Sequence, residues 1–197
     1  MPITSAATAV AFALLSLALG IGLSAACGFR VFVPLFIMSI AALSGYLTLD
    51  GGFAWIATYP ALASFGAATL VEILGYYIPW VDNLLDAVAT PTAIVAGMVV
   101  TASSVTEVDP FLRWTLAIVG GGGTAAVFQG ITATARQVSS FTTGGLGNPV
   151  IATLEAGGSA LLAVLAIMVP ILAALVLVVL LYFGVKRLLF RRPARAT

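Results

Sequence analysis

Six polar side chains lie within or beside long apolar stretches of this chain, where an unpaired charge is costly. They are two arginines, three acids and an asparagine: Arg30, Arg136, Glu72, Asp86, Glu155 and Asn148. An ionised carboxylate inside a membrane-spanning helix costs about 2.5–3.5 kcal/mol unless it is paired or hydrated. We therefore expect Glu72 and Glu155 to pair with an arginine and to belong to a polar site inside the protein.

This candidate site has two interpretations. It binds a small solute or ion, or its charges are structural ion pairs that hold helices in register. Asn148-Pro149 predicts an N-cap followed by a proline in the first helical turn, and Asp82 or Asn83 predicts a similar helix start. Two helix N-termini facing one vestibule favour an anion. Four acids, Asp82 included, against two arginines favour cations or protons, so the sign of the substrate's charge stays open.

The composition excludes most catalytic chemistry. The chain has no histidine and one cysteine, which removes disulfides, most zinc and haem sites and histidine-based triads. Residues 120–123 are four glycines, but no Lys-Ser/Thr follows as in a phosphate loop, so we interpret them as permitting close helix packing or a local break. No nucleophile–base pair is visible, and we predict no catalytic residue, no cofactor, no metal and no enzyme activity. A net charge of +1 also argues against nucleic-acid binding.

The elements that position these residues are predicted to be membrane-spanning helices. Apolar residues make up 61% of the chain and charged ones 8%, against about 25% charged in soluble domains. A span needs about 20 mostly apolar residues. We predict an all-α membrane protein, a single transmembrane domain (residues 1–197) forming a polytopic bundle of about seven helices. The predicted spans are residues 7–28, 31–48, 53–78, 83–101, 111–131, 149–168 and 171–185.

The second half of the chain allows an alternative number of membrane spans. Residues 149–185 would form a helix about 55 Å long, nearly twice the hydrocarbon thickness, and Pro170 divides it into two passes. In the alternative there are six spans, and residues 148–158 form a re-entrant half-helix. The polar residues 129–148 either line a hydrated cavity or form a cytoplasmic loop.

The basic tail, residues 186–197, predicts the orientation. Such clusters stay cytoplasmic, so the C-terminus is cytoplasmic and seven spans place the N-terminus in the periplasm. Both arginines of the candidate site then lie towards the cytoplasm. The acids Glu72, Asp82, Asp86 and Glu155 lie on the same side, and the other charges before the tail fall on the outer side: Asp50, Glu107, Asp109 and Arg113. The six-span alternative places the two arginines outside.

The two halves of the chain, residues 7–102 and 111–185, contain similar patterns. Gly20-Ile-Gly22 and Gly121-Gly-Gly123 each precede an arginine, and each half continues with an asparagine that starts an apolar helix with an acid in its first two turns. The second half lacks a hairpin of two passes, so the copies would run parallel. Transport folds are often built from such repeats, with the site at their interface. The alternative is a chance match among small residues.

Three motifs around these charges resemble those of a family of small uncharacterised bacterial integral membrane proteins, domain of unknown function 4126. The first is residues 22–35 around Arg30. The second is Glu72 with residues 79–86, and the third is residues 142–149 with Glu155. The resemblance covers residues 15–170 approximately. It implies a multi-span protein of the bacterial inner membrane and supplies no activity.

Three functions compete on this basis. The first is a transporter or channel for a small solute or ion, with its charged site near the cytoplasmic side. The second is a non-catalytic membrane subunit or assembly factor whose buried charges are structural. A lipid-directed enzyme has the least support. Expected partners are the lipid bilayer, a small solute or ion and further copies of the chain, because seven helices leave little room for a wide pore in a monomer.

Overall fold

The chain folds into a bundle of helices. The computed structural model describes residues 2–78, 81–106 and 108–189, and within these ranges there is no β-strand. The predicted all-α class is therefore confirmed. Glu107 and the tail from residue 190 onwards, including Arg191, Arg192 and Arg195, lie outside the described residues.

The bundle consists of long helices and four shorter helical segments of 6–12 residues within the described residues. The first half contains α1 (Pro2–Phe29), α2 (Phe32–Leu43), a 3₁₀ helix (Gly51–Ala57), α3 (Tyr59–Gly75) and α4 (Val81–Ser104). The second half contains α5 (Pro110–Leu116), a π-helical turn (Ala117–Gly122), α6 (Gly123–Thr143), α7 (Asn148–Met168) and α8 (Pro170–Leu189). Because α5, the π-helical turn and α6 follow without a break, they form a single helix of 34 residues.

Four helices in the described part of the chain are long and apolar enough to cross a membrane: Thr8–Phe29, Leu84–Ser104, Pro110–Thr143 and Asn148–Met168. A fifth crossing exists if the 3₁₀ helix and α3, bent by 64° relative to each other, are one broken span. Leucine and valine side chains on these helices are turned outwards; Leu70, Val119 and Leu154 are 62–72% exposed. Such a surface suits lipid rather than water.

The predicted count of about seven full-length spans is therefore not supported. Span 31–48 is replaced by α2, whose 12 residues extend about 18 Å, short of the roughly 30 Å hydrocarbon layer. Its helix ends before Gly45, which has a φ of 76°. The fifth span was predicted to stop at residue 131, but α6 continues to Thr143 and ends at Gly144, with φ 63°.

Residues 129–143 are helical because their polar side chains share one face. Gln129, Thr132, Arg136 and Ser139 recur every three or four residues and are buried against the bundle. A helix whose polar stripe faces protein satisfies its backbone internally, so this segment needs neither a loop nor a lipid-facing apolar surface. Of the two predicted alternatives, the cytoplasmic loop is therefore wrong for residues 129–143.

Close backbone contacts at glycines hold the centre of the bundle together. A Cβ atom on Gly97 of α4 would lie 2.8 Å from the carbonyl oxygen of Gly121, in the π-helical turn. A Cβ on Gly28 of α1 would lie 2.7 Å from the carbonyl oxygen of Ala125. Small residues at such crossings let helices approach in the absence of a hydrophobic driving force. The glycine run thus permits close packing, the first of the two predicted roles, whereas the helix changes type there without the predicted break.

Side-chain contacts give the directions of the central helices. Gly20 of α1 abuts Thr101, whereas Ser24, one turn later, donates a hydrogen bond of 2.8 Å to the carbonyl of Gly97. Helix α4 is therefore antiparallel to α1. The same holds for α7, because Gly22 abuts Ala166 and the Ser159 hydroxyl bonds the carbonyl of Ala26. The C-terminal end of α1 thus meets the N-terminal ends of α4 and α7, and we call this end of the bundle the charged end.

Candidate functional site

Glu155 occupies the middle of the charged end. Its Oε2 atom lies 3.2 Å from Nη2 of Arg30 and is also bonded to Nη1 of Arg136. Only 4% of Glu155 and 2% of each arginine is exposed. The predicted pairing of Glu155 with an arginine is present in the structure, and it involves both arginines through one oxygen atom.

Asp86 at the start of α4 binds Arg136 from the other side. The Arg136 guanidinium meets the carboxylate at two points, with Nη2 2.7 Å from Oδ1 and Nε 3.2 Å from Oδ2. The contact from Nε is a charge-assisted hydrogen bond, whereas the contact from Nη2 is an ion pair without a hydrogen bond. The Tyr76 hydroxyl also donates to Oδ1, at 3.2 Å. The Asp86 side chain is 28% exposed, so it forms the rim of the cluster.

Tyr76 is a member of the cluster that sequence analysis missed. Its ring lies 3.7 Å from the Cζ atom of Arg30 and 4.8 Å from that of Arg136, both centroid distances. An aromatic face within about 6 Å of a guanidinium attracts its charge, and more strongly away from water. The signal was its spacing: Tyr76 follows Glu72 by one helical turn and therefore points to the same side of the bundle.

Glu72 has a different role from the one predicted. Its Oε1 accepts a hydrogen bond of 2.7 Å from the backbone N–H of Val31, and its Oε2 accepts one of 3.0 Å from Phe32. Within the described residues, its carboxylate is in no ion pair with an arginine. The first N–H groups of a helix have no partner inside the helix and attract negative charge. Glu72 thus caps α2 directly after Arg30, and the prediction of an arginine pair was wrong.

Asn148 lies inside helix α7 rather than capping it. Gly147 is the N-cap, and the Asn148 amide nitrogen donates to Oδ2 of Asp82 at 3.3 Å and to the Ser140 hydroxyl at 3.1 Å. Asp82 likewise lies within the first turn of α4, which begins at Val81. Both helix starts are therefore displaced by one or two residues from the prediction. The two N-termini are nevertheless neighbours, joined by the contact between Asp82 and Asn148.

Several buried polar atoms at the charged end have no protein partner. Nε and Nη1 of Arg30 and Oε1 of Glu155 make no hydrogen bond. Buried polar groups are nearly always bonded, to protein or to solvent. Arg30 thus has two buried donors that can bond to acceptors not supplied by the protein.

The ion pairs cross between the two halves of the chain. Arg30 of the first half pairs with Glu155 of the second, and Arg136 of the second half pairs with Asp86 of the first. The described residues contain no group of three or more histidine, cysteine or acidic side chains arranged to hold a metal. Chemically, the cluster can exchange one carboxylate for another anion or hold a proton.

A family model described as a domain of unknown function (DUF4126) matches residues 17–189. No curated protein and no solved structure matches the chain. The match covers most of the chain and contains all six candidate residues, so the resemblance seen in the three motifs is confirmed. The chain belongs to this family.

Proposed function

We propose that this member of the DUF4126 family transports a small solute or ion across the bacterial inner membrane and binds it at the charged end. The observation that carries the proposal is the sharing of one Glu155 oxygen by two buried arginines, while two nitrogen atoms of Arg30 have no acceptor. A network that only joins helices gains stability by satisfying every buried donor. A network with unsatisfied donors instead favours a ligand that accepts hydrogen bonds from them.

The charged end faces the cytoplasm in this proposal. The basic tail after α8 supports that orientation, since such segments stay cytoplasmic. The backbone N–H of Asp50 donates to the carbonyl of Ser103 at 2.9 Å, so the chain after α2 has returned to the opposite end, where α4 finishes. Counting α2 as a short pass gives seven passes. The N-terminus would then be periplasmic.

A structural role is the second candidate, and specific contacts favour it. Arg136 is bound by both Asp86 and Glu155, and Glu72 is used completely by the first turn of α2. These contacts fix helices to each other without any ligand. A membrane subunit or assembly factor would need nothing more.

The substitution Glu155→Gln separates the two functions. It keeps the shape of the side chain and removes its charge, so it should abolish flux while the protein still folds. The assay is uptake into reconstituted vesicles of a panel of small organic acids and monovalent inorganic ions, with the melting temperature measured in parallel. Asp50→Asn is the matched control, because Asp50 pairs with Arg113 at the opposite end. A parent protein without flux for any probe, together with a less stable Glu155→Gln variant, would leave the structural role.

A further inference from the structure

We infer that the transported species is a small monovalent anion of the carboxylate class, which replaces the Glu155 carboxylate between Arg30 and Arg136 while Glu155 takes up a proton. This inference rests on the proposed function and names the substrate class of the same site. It follows from how differently the three buried or half-buried acids of the cluster are held.

Glu155 is the acid whose binding is incomplete. Asp86 is held by two nitrogen atoms of Arg136 and by the Tyr76 hydroxyl. Both oxygen atoms of Glu72 accept backbone hydrogen bonds. In contrast, Glu155 uses Oε2 alone, and its Oε1 is buried without a donor.

The position of Glu155 Oε2 is already that of an anion site. Two guanidinium groups converge on this oxygen: Arg136 donates a charge-assisted hydrogen bond, a strong kind of contact in proteins, and Arg30 forms an ion pair while its Nη2 donates to the carbonyl of Ala152. Nε and Nη1 of Arg30 are further donors without a protein acceptor, although only 2% of this residue is exposed. A ligand carboxylate has two oxygen atoms and could accept from both arginines and from these spare donors. The Glu155 carboxylate thus occupies the position that the carboxylate of a bound ligand would take.

The charges determine what must accompany the anion. Arg30 and Arg136 are balanced by Asp86 and Glu155, the charge of Glu72 is held at the N-terminus of α2, and the charge of Asp82, at the start of α4, contacts the Asn148 amide. An added anion would leave an uncompensated negative charge in a site shielded from water, which is costly. A proton from water that binds the Glu155 carboxylate restores the balance. One anion and one proton therefore move together, and the cycle carries no net charge.

The groups that could titrate near Glu155 are few. Arg30, Arg136, Asp86, Tyr76 and Glu72 surround the cluster, and Cys27 is buried on α1. Two further groups contact α7 at its edge: Asp82 through Asn148, and the Tyr77 hydroxyl through Thr153. Helix α2, which packs against α7, carries no titratable residue. The described titratable residues of α8 are Tyr182 and Lys186, and both are exposed. Glu155 is thus the acid to which we assign the proton.

The test uses formate as the probe, titrated into the purified full chain at constant ionic strength. Because one proton is taken up with each anion, the apparent affinity of the parent protein for formate should fall about tenfold for each unit rise in pH. In Glu155→Gln residue 155 carries no charge at any pH and takes up no proton, so formate should bind with little pH dependence. Arg30→Gln should weaken binding at least about tenfold, whereas Arg113→Gln at the opposite end should leave it unchanged.

Each other result has a definite meaning. Formate binding by the parent that is independent of pH would overturn the proton coupling. Binding and flux of a monovalent cation such as ammonium, lost in Glu155→Gln, would overturn the anion inference and leave the proposed transport intact. No flux of any probe would overturn both. If Glu155→Gln does not fold, Arg30→Lys replaces it: it keeps the charge and loses donors, so formate should bind more weakly with the same pH dependence.

Discussion

Replacing Arg136 by glutamine should destabilise the protein far more than the same replacement at Arg113. Both arginines pair with an aspartate, Asp86 and Asp50 respectively. The Arg113 pair is partly open to solvent, with 16% and 19% of its two side chains exposed, whereas 3% of the Arg136 side chain is exposed. The two substitutions therefore remove the same functional group from different surroundings.

The expected magnitudes follow from these surroundings. Removing one partner of a buried ion pair costs about 3–5 kcal/mol, mainly because the other charge is left behind. Glu155 keeps Arg30 as a partner and Asp86 is 28% exposed, so both can be partly compensated and the lower limit applies. We expect a loss of about 3 kcal/mol, or about 6–12 °C in melting temperature for a chain of this size. The partly exposed pair at Arg113 should contribute at most about 1 kcal/mol.

Reversible unfolding in mild detergent measures both values, with the free energy obtained from denaturant titration and the midpoint from thermal scans. Equal losses for Arg136→Gln and Arg113→Gln would refute the argument, because burial would then not determine the strength of these pairs. A more stable Arg136→Gln variant would also refute it. A double variant lacking both Arg136 and Asp86 should lose less than the sum of the single changes.

Three further outcomes are expected. Glu72→Ala should lower the free energy of unfolding by about 1–3 kcal/mol and speed amide exchange at Val31 and Phe32, since both N–H groups lose a charged acceptor; unchanged exchange there would exclude the capping role. Gly97→Ala should destabilise because its Cβ would contact a carbonyl oxygen at 2.8 Å, whereas Gly130→Ala, with nothing within 4 Å, should stabilise by up to about 1 kcal/mol; thermal scans that rank them in the opposite order would contradict the packing argument. Reporter fusions should place the C-terminus in the cytoplasm and the N-terminus in the periplasm, and both ends on one side would exclude seven passes.

The sequence predicted the class of fold and the residues of the charge cluster better than the contacts among those residues. Apolar composition indicates membrane helices directly, and a buried carboxylate needs a partner whatever the fold, so Glu155 could be assigned to an arginine. Glu72 was assigned wrongly because a carboxylate is satisfied equally well by backbone N–H groups. The start of α2 lies 41 residues away from Glu72 in sequence, and no local pattern reveals that they meet.

The number and length of the spans were less predictable. Hydropathy averages over a window and does not register that Gly45 ends α2 early, or that a polar stripe continues α6 to Thr143. Tyr76 was missed because an aromatic residue at the end of an apolar helix is common. Its function in the cluster depends on the tertiary approach of two guanidinium groups to its ring.

The π-helical turn at Ala117–Gly122, together with the length of the glycine run, determines which side of the following helix faces the rest of the bundle. A π-helical turn accommodates one residue more than an α-helical turn. Because the turn absorbs this extra residue, a regular α-helix formed by the same residues would rotate the helix beyond by about 100°. Arg136 would then turn away from Asp86 and Glu155 towards another side of the bundle. Deleting one glycine together with the π-helical turn would keep the present orientation, so the turn and the extra residue together hold Arg136, some fifteen residues further along the helix, in the charge cluster.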